Sequence, residues 1–191
     1  MTDLADFAGG GFQTILTEGI WDLGNPGGSS SGILNVPFMD LSNTFVEVKW
    51  NIGNTLNTSL PAIGIKNASQ LEWKSLVTIS LNNSLRVHYR IIQDTSIKSI
   101  DRGMVTNSTY RNISSDPIGA PGFANQITVG SVDSSTAIVK CGLHTGSSTS
   151  SPFYQSWSAN AEGWMLNNTT LLVPYHKNNG NRIVSYQILN Y

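Results

Sequence analysis

Short stretches of alternating apolar and polar residues indicate β-strands along most of the chain. The clearest stretch is Ser75–Ile92, SLVTISLNNSLRVHYRII, which a polar break at Asn82–Ser84 divides into two strands. With a three-residue loop, Ile79 lies beside Val87, and the large apolar groups of both strands share one face. We therefore predict a half-buried antiparallel hairpin here.

Further strands are predicted from shorter apolar runs. These runs are Gln13–Leu23, Ile33–Phe38, Thr44–Trp50, Ala62–Lys66 and Leu71–Trp73. Thr44–Trp50 alternates most regularly, with Val46, Val48 and Trp50 on one side. Pro37 lacks an N–H group, so the strand that contains it is expected at a sheet edge. Asp94–Gly122 has little periodicity and is predicted to be a long loop.

Two more hairpins are predicted in the last third of the chain. In the first, Ile127–Ser131 pairs with Ala137–Cys141 across Asp133–Ser135, which places the Cys141 thiol in the core. In the second, Leu171–His176 pairs with Ile183–Leu189, and Asn179-Gly180 forms a type I′ turn between them. This register sets Val173 against Tyr186 and Leu171 against Ile188, while Pro174 argues for an edge position.

Many short strands joined by glycine-rich turns indicate an all-β fold with long loops and little helix. We predict an antiparallel β-sandwich or jelly roll, with a closed β-barrel as the alternative. Residues 1–11 are interpreted as a flexible N-terminal arm and residues 12–191 as a single β domain. We find no repeat of fixed period.

The polar residues of this chain are mostly uncharged. Charged residues make up 12% of the sequence, and the formal net charge is −1, whereas about 25% is usual for soluble domains. Such a balance gives no electrostatic basis for binding nucleic acid or an anionic membrane. The start of the chain lacks the pattern of a signal peptide, and no apolar run is long enough for a membrane span. We expect no export signal and no membrane insertion.

Three basic residues alternate along one predicted strand. Arg86, His88 and Arg90 line the polar face of the Ser75–Ile92 hairpin. The guanidinium fork favours carboxylates and phosphates, so one interpretation is a site for an acidic ligand. The other is a solvated face, or one paired with carboxylates of a neighbouring strand or subunit.

Ser151–Thr170 is the stretch most suggestive of ligand binding. Aromatic residues interleave there with amide and carboxylate groups, a composition that suits stacking on sugar rings and fixing their hydroxyls. The predicted glycan-binding residues are Tyr154, Trp157, Asn160, Glu162 and Trp164. The alternative is that the tryptophans seal one end of the β core or a subunit contact.

Catalytic and metal-binding motifs are weak. Gly28–Gly32 fits the G-x-S-x-G string of serine hydrolases, but no helix can follow it, so it is interpreted as a linker. Cys141 and His144 point to opposite faces of a strand and have no second cluster of ligands. We predict no catalytic residues, no metal site and no cofactor.

These features favour a non-enzymatic structural or adhesive component of a virus particle, such as a bacteriophage surface, tail-fibre, baseplate or decoration protein. It is expected to be located in the virion and to form a homo-oligomer such as a trimer. Its expected partners are itself, other virion proteins and a host-surface glycan. The alternatives are a free-standing lectin or carbohydrate-binding module and, third, a hydrolase that uses the Gly28–Gly32 string.

Overall fold

The computed structural model describes residues 12–23, 31–51, 61–75, 86–107, 110–113, 122–145, 163–175 and 182–191. Every regular element in these ranges is a β-strand, which confirms the predicted all-β class. In chain order the strands are β1 Gln13–Asp22, β2 Ser31–Asn35, β3 Thr44–Asn51, β4 Ala62–Asn67, β5 Gln70–Lys74, β6 Arg86–Asp94, β7 Ser99–Asn107, β8 Tyr110–Ile113, β9 Gly122–Thr128, β10 Ile138–Thr145, β11 Trp164–Asn167, β12 Thr170–Tyr175 and β13 Arg182–Asn190.

The strands form four antiparallel sheets. Sheet A has the order β1-β6-β3, sheet B has β2-β5-β4, sheet C has β10-β13-β7 and sheet D has β11-β12-β9-β8. Strand pairing among the described residues stays within β1–β6 and within β7–β13. These sheets are open, so the closed barrel considered from the sequence is wrong for the described part of the chain.

Sheets A and B pack face to face as a first sandwich. Their shared core consists of large apolar residues from both sheets and from the loop after β2: Trp21, Met39, Val46, Ile63, Leu71, Trp73, Val87 and Ile91. Burial of this apolar surface is the main force that holds the two sheets together. Val46 and Val48 point towards this core, as the alternation in Thr44–Trp50 predicts.

Sheets C and D form a second sandwich of the same kind. Its core contains Ile127, Val129, Val132, Leu171, Val173, Val184, Tyr186 and Ile188. Strand β13 lies at the centre of sheet C and is buried from Ile183 to Leu189. A strand that is buried on both faces must be covered on both, and the first sandwich covers the second face of β13.

The predicted pairing within Ser75–Ile92 is wrong on its β6 side. Strand β6 lies between β1 and β3, so Val87 has Trp21 on one side and Trp50 on the other. Both hydrogen-bonding edges of β6 are therefore occupied, by β1 and by β3. The other half of the predicted hairpin lies outside the described residues.

The two later hairpins are also wrong. Strand β9 pairs with β12 and β8, and β10 pairs with β13, so the strands on either side of Asp133–Ser135 belong to different sheets. In the same way β12 belongs to sheet D and β13 to sheet C. The predicted partners Val173 and Tyr186 both belong to the second core, but they lie in different sheets rather than side by side.

Four further expectations, about a loop, two prolines and the N-terminal arm, had different outcomes. Asp94–Gly122 was expected to be a long loop, yet it contains β7 and β8. Strand β2 lies at the edge of sheet B, as Pro37 predicted. Pro174 lies in β12, which is an inner strand, but β11 pairs only with Thr170–Leu172 and ends before the proline. The predicted N-terminal arm lies outside the described residues.

The two sandwiches have the same topology. Strands β1, β6 and β3 of sheet A correspond to β7, β13 and β10 of sheet C, and β2, β5 and β4 of sheet B correspond to β9, β12 and β11 of sheet D. Strand β8 has no counterpart among the described strands of the first sandwich. The described part of the chain thus contains an internal repeat. The repeat has no fixed period in the sequence because the connecting segments differ in length.

Equivalent positions in the two sandwiches carry the same kinds of residue. Val87-x-Tyr89-x-Ile91 in β6 corresponds to Val184-x-Tyr186-x-Ile188 in β13. Each tyrosine lies against a glycine on the neighbouring strand: Tyr89 against Gly19, and Tyr186 against Gly103. A side chain at either glycine would occupy the space of the tyrosine ring.

The turns repeat as well. After β2 the carboxylate of Asp40 accepts a hydrogen bond from the Ser42 N–H at 2.9 Å, and after β9 Asp133 accepts one from Ser135 at 2.9 Å. Between β4 and β5 the Asn67 oxygen accepts from the Ser69 N–H, and Asn167 accepts from Thr169 in the same way between β11 and β12. Hydrogen bonds from a main-chain N–H to an Asp or Asn side chain thus stabilise the equivalent turns of both sandwiches.

The first sandwich joins the second edge-on. Strands β3 and β4, which are edges of sheets A and B, lie against the face of sheet C that points away from the second core. A third apolar cluster of Phe45, Ile92, Ile97 and Leu189 fills the contact. That residues 12–191 behave as one domain stays a prediction.

Candidate functional site

The alternating basic residues of the sequence lie on the outer face of sheet A, the face opposite the first core. They form the middle column of three cross-strand rows: Asp22–Arg86–Asn51, Ile20–His88–Lys49 and Glu18–Arg90–Glu47. Arg86, His88 and Arg90 are exposed, as the pattern predicted. Arg90 and its row lie closest to the joint with sheet C.

Carboxylates from β1 pair with both arginines. Arg86 Nε lies 3.1 Å from Asp22 Oδ2, and Arg90 Nε lies 2.8 Å from Glu18 Oε2. All four side chains are about half exposed, so each pair adds little to stability. The positive charge of the column is thereby balanced on this face. This geometry agrees with the second interpretation from the sequence, a face that is paired with carboxylates of a neighbouring strand.

Between the two ion pairs lies an exposed apolar side chain. Ile20 is 57% exposed and lies directly across from His88. The outer face of sheet A thus combines balanced charges with one exposed isoleucine.

In the second sandwich the equivalent face, the outer face of sheet C, is covered by the first sandwich. The row Arg102–Gln187–Lys140 of sheet C corresponds to the row Glu18–Arg90–Glu47 of sheet A. All three side chains of the sheet C row reach residues 41–47 of the first sandwich. Gln187 binds both main-chain groups of Val46, Lys140 pairs with Glu47, and Arg102 donates to the Leu41 carbonyl.

Three contacts define this joint in detail. Gln187 Oε1 accepts from the Val46 N–H at 2.9 Å, while Gln187 Nε2 donates to the Val46 carbonyl at 2.8 Å. Lys140 Nζ lies 2.7 Å from Glu47 Oε1 and 4.8 Å from the ring centre of Phe45. A Cβ built on Gly64 of β4 would lie 3.2 Å from Cε of Met104 on β7. Sheet C thus contacts one edge strand from each sheet of the first sandwich, β3 and β4.

Of the predicted glycan-binding residues, the structure describes Trp164 alone. Tyr154, Trp157, Asn160 and Glu162 lie outside the described residues. Trp164 is partly exposed in β11, an edge strand of sheet D, and its register partner is Leu172. By the internal repeat it occupies the position of Gly64.

The lone cysteine lies at the margin of the second core. Cys141 packs against that core, and its burial raises the pKa of the thiol to about 12. His144 is in the same strand, β10. Across the described ranges, no three His, Cys, Asp or Glu side chains come together in a group that could hold a metal ion.

The sequence pattern missed the partners of the basic column. Glu18, Ile20 and Lys49 come from β1 and β3, which are distant in sequence from β6. An alignment of Val87-x-Tyr89-x-Ile91 with Val184-x-Tyr186-x-Ile188 makes Arg90 equivalent to Gln187. It thereby identifies the outer faces of sheets A and C as equivalent.

Comparison with known proteins adds no relative. No protein-family model, no curated protein and no solved structure matches this chain. Within the described ranges we also find no helix that could span a lipid bilayer. The functional interpretation therefore rests on the fold and on the outer face of sheet A.

Proposed function

We propose that this protein is a non-enzymatic structural and adhesive component of a virus particle, such as a surface, tail-fibre, baseplate or decoration protein of a bacteriophage. In this proposal it assembles as a homo-oligomer, contacts other virion proteins and touches a host-surface glycan.

The observation that carries the assembly part is the internal repeat with its joint. One β-sandwich of the chain docks its edge on the sheet face of a second, similar sandwich. A module that binds a variant of itself is suited to building larger assemblies. The exposed Ile20 on the equivalent face of the first sandwich gives a further contact surface. The setting in a virus particle rests on the weakly charged, amide- and hydroxyl-rich composition.

Light scattering coupled to size-exclusion chromatography tests the assembly part. We expect a mass that is a multiple of the 20.7 kDa chain at micromolar concentration. A mass of one chain at every concentration contradicts the proposal. For the virion part, an antiserum against the purified chain should label virus particles at regular positions in electron micrographs, and labelling of non-particulate material alone contradicts it.

A carbohydrate-binding module is the second candidate, because Trp164 presents a partly exposed indole at a sheet edge. Aromatic faces of this kind stack on the apolar faces of sugar rings. A glycan array should then show binding by the native chain and a loss of signal in the Trp164→Ala variant. Equal signals for the two proteins, with far-ultraviolet spectra that match, would remove this candidate.

A further inference from the structure

We propose that a second copy of this chain docks the β10–β11 edge of its second sandwich onto the outer face of sheet A. This contact repeats between molecules the joint that connects the two sandwiches within one molecule. The inference deepens the proposed function, since it names the surface and the partner through which the protein assembles.

The joint within the chain supplies the template. There the edge consists of β3 and β4, and the face is that of sheet C, with Met104, Gln187 and Lys140 as the side chains in contact. In the second sandwich, β10 and β11 correspond to β3 and β4. They also lie side by side, because a Cβ built on Gly163, just before β11, would be 3.0 Å from Cγ1 of Val139 on β10.

The outer face of sheet A has what the template requires. Ile20 occupies the position of Met104 and is 57% exposed. At the position of Gln187 lies Arg90, paired with Glu18. Together the guanidinium and the carboxylate provide the donor and the acceptor that the Gln187 amide provides in one side chain. A main-chain N–H and C=O at a strand edge need both.

The β10–β11 edge has the matching groups. Ile138 corresponds to Phe45, yet Ile138 is 47% exposed whereas Phe45 is 2% exposed. Val139 corresponds to Val46, and β10 is an edge strand of sheet C. Trp164 stands at the position of Gly64, so the intermolecular contact presents an indole towards Ile20 and His88. The edge therefore exposes apolar groups at the positions that the template buries.

Charge is reversed on both sides of the proposed contact. In the template, Lys140 on the face pairs with Glu47 on the edge, and Arg102 on the face donates to the Leu41 carbonyl. On sheet A the equivalent face positions are Glu18 and Glu47, and the equivalent edge position is Lys140. Within each chain Lys140 already pairs with Glu47 and Glu18 with Arg90, so these groups enter the proposed contact with their charges balanced.

The contact joins two different surfaces, so it leaves one free edge and one free face on each pair of molecules. Such head-to-tail association closes into a ring or continues as a filament, according to the rotation between subunits. A closed ring of three would agree with the trimer expected from the sequence.

Complementation between two variants tests this geometry. Ile20→Asp disrupts the face and Ile138→Asp disrupts the edge, so each variant alone should have the mass of one 20.7 kDa chain in light scattering. Mixed together, they retain one intact face and one intact edge and should form a 1:1 dimer. Ile33→Asp, at an exposed isoleucine (49%) of β2 outside the proposed contact, is the matched control and should assemble like the native chain.

Chemical crosslinking of introduced cysteines tests the contact without a substitution that is meant to break it. In the Ile20→Cys/Trp164→Cys double variant, a short bismaleimide should yield a ladder of crosslinked chains, while each single variant should not form the ladder. Cys141 should stay unmodified because burial raises its pKa to about 12.

The failures can be told apart. A native chain that is monomeric at all concentrations overturns both this inference and the assembly part of the proposed function. A native oligomer that survives Ile20→Asp and Ile138→Asp, or that dissociates only with Ile33→Asp, overturns this inference alone. A mixture of the two variants that stays monomeric also overturns the head-to-tail arrangement.

Discussion

Gln187 binds Val46 through both main-chain groups of that residue, at 2.9 Å to the N–H and 2.8 Å to the carbonyl. Val46 lies in β3, which is an edge strand of sheet A. The side-chain amide therefore takes the place of a neighbouring strand at this point and satisfies groups that would otherwise be open to another chain. The whole contact is buried.

Replacing this amide should cost stability. In Gln187→Met the shape is kept, but a buried N–H and a buried C=O lose their partners, so we expect the free energy of unfolding to fall by about 2 to 4 kcal/mol. Guanidinium denaturation monitored by tryptophan fluorescence measures the change. A loss below about 0.5 kcal/mol, the range of ordinary surface substitutions, would show that the contact contributes little.

A second variant at the same position separates hydrogen bonding from packing. In Gln187→Glu an ionised carboxylate can accept from the Val46 N–H but cannot donate to its carbonyl. The difference in stability between this variant and the native chain should shrink as the pH falls and the carboxyl becomes protonated. A difference that does not depend on pH would contradict this assignment of donor and acceptor.

Local pattern was sufficient to predict most strands of the first sandwich but not how they pair. Alternation decides which side of a strand is buried. It does not decide whether the apolar partner lies alongside in the same sheet or opposite in the facing sheet. The pattern predicts Val173 and Tyr186 side by side, whereas they belong to the second core from two different sheets.

The candidate site shows the same limit. The exposed alternation of Arg86, His88 and Arg90 could be predicted because it needs only the period of a strand. The carboxylates that pair with them come from β1, and no local pattern brings Glu18 to Arg90. The internal repeat was missed because corresponding segments are separated by different lengths, as Val46 and Val139, and Tyr89 and Tyr186, illustrate.

The two glycine–tyrosine pairs should differ in their tolerance of a methyl group. A Cβ at Gly103 would lie 2.8 Å from atoms of the Tyr186 ring, and one at Gly19 would lie 3.0 Å from the Tyr89 hydroxyl. Tyr186 is buried and Tyr89 only partly so, which leaves Tyr186 less room to move. We expect Gly103→Ala to cost about 1–3 kcal/mol and Gly19→Ala to cost less.

Gly64→Ala is the matched control for these substitutions, because its Cβ would meet the flexible end of Met104 at 3.2 Å. Urea denaturation of the three variants gives the order of the costs. A Gly103→Ala variant as stable as the native chain would mean that the tyrosine ring is free to shift.

Asp94 should make the protein sensitive to acid. Burial by itself raises the pKa of this carboxyl, but hydrogen bonds from Ser96, Gln13 and Tyr191 together lower it below 3.8. A lowered folded-state pKa adds stability that is present above about pH 3.8 and is lost as the pH falls through the folded-state value.

The Asp94→Asn variant tests this dependence. It should be less stable than the native chain at neutral pH, and the difference should diminish below pH 3.8 as the native carboxyl takes up its proton. Thermal unfolding followed by circular dichroism at several pH values provides the comparison. A difference that stays constant down to the acid transition would assign the effect to packing.

Tyr191 should make the protein sensitive to alkali. Burial, the charge of Asp94 and the hydrogen bond to Asp94 raise the pKa of this phenol from 10.0 to about 12. A raised folded-state pKa adds stability that is present below pH 10 and is lost as the pH rises towards 12. Tyr191→Phe should therefore remove part of the alkaline loss of stability, and Asp94→Asn should lower the pKa of Tyr191. Ultraviolet difference absorbance during titration follows the phenolate directly, and equal titration of the native chain and Tyr191→Phe near pH 12 would contradict the assignment.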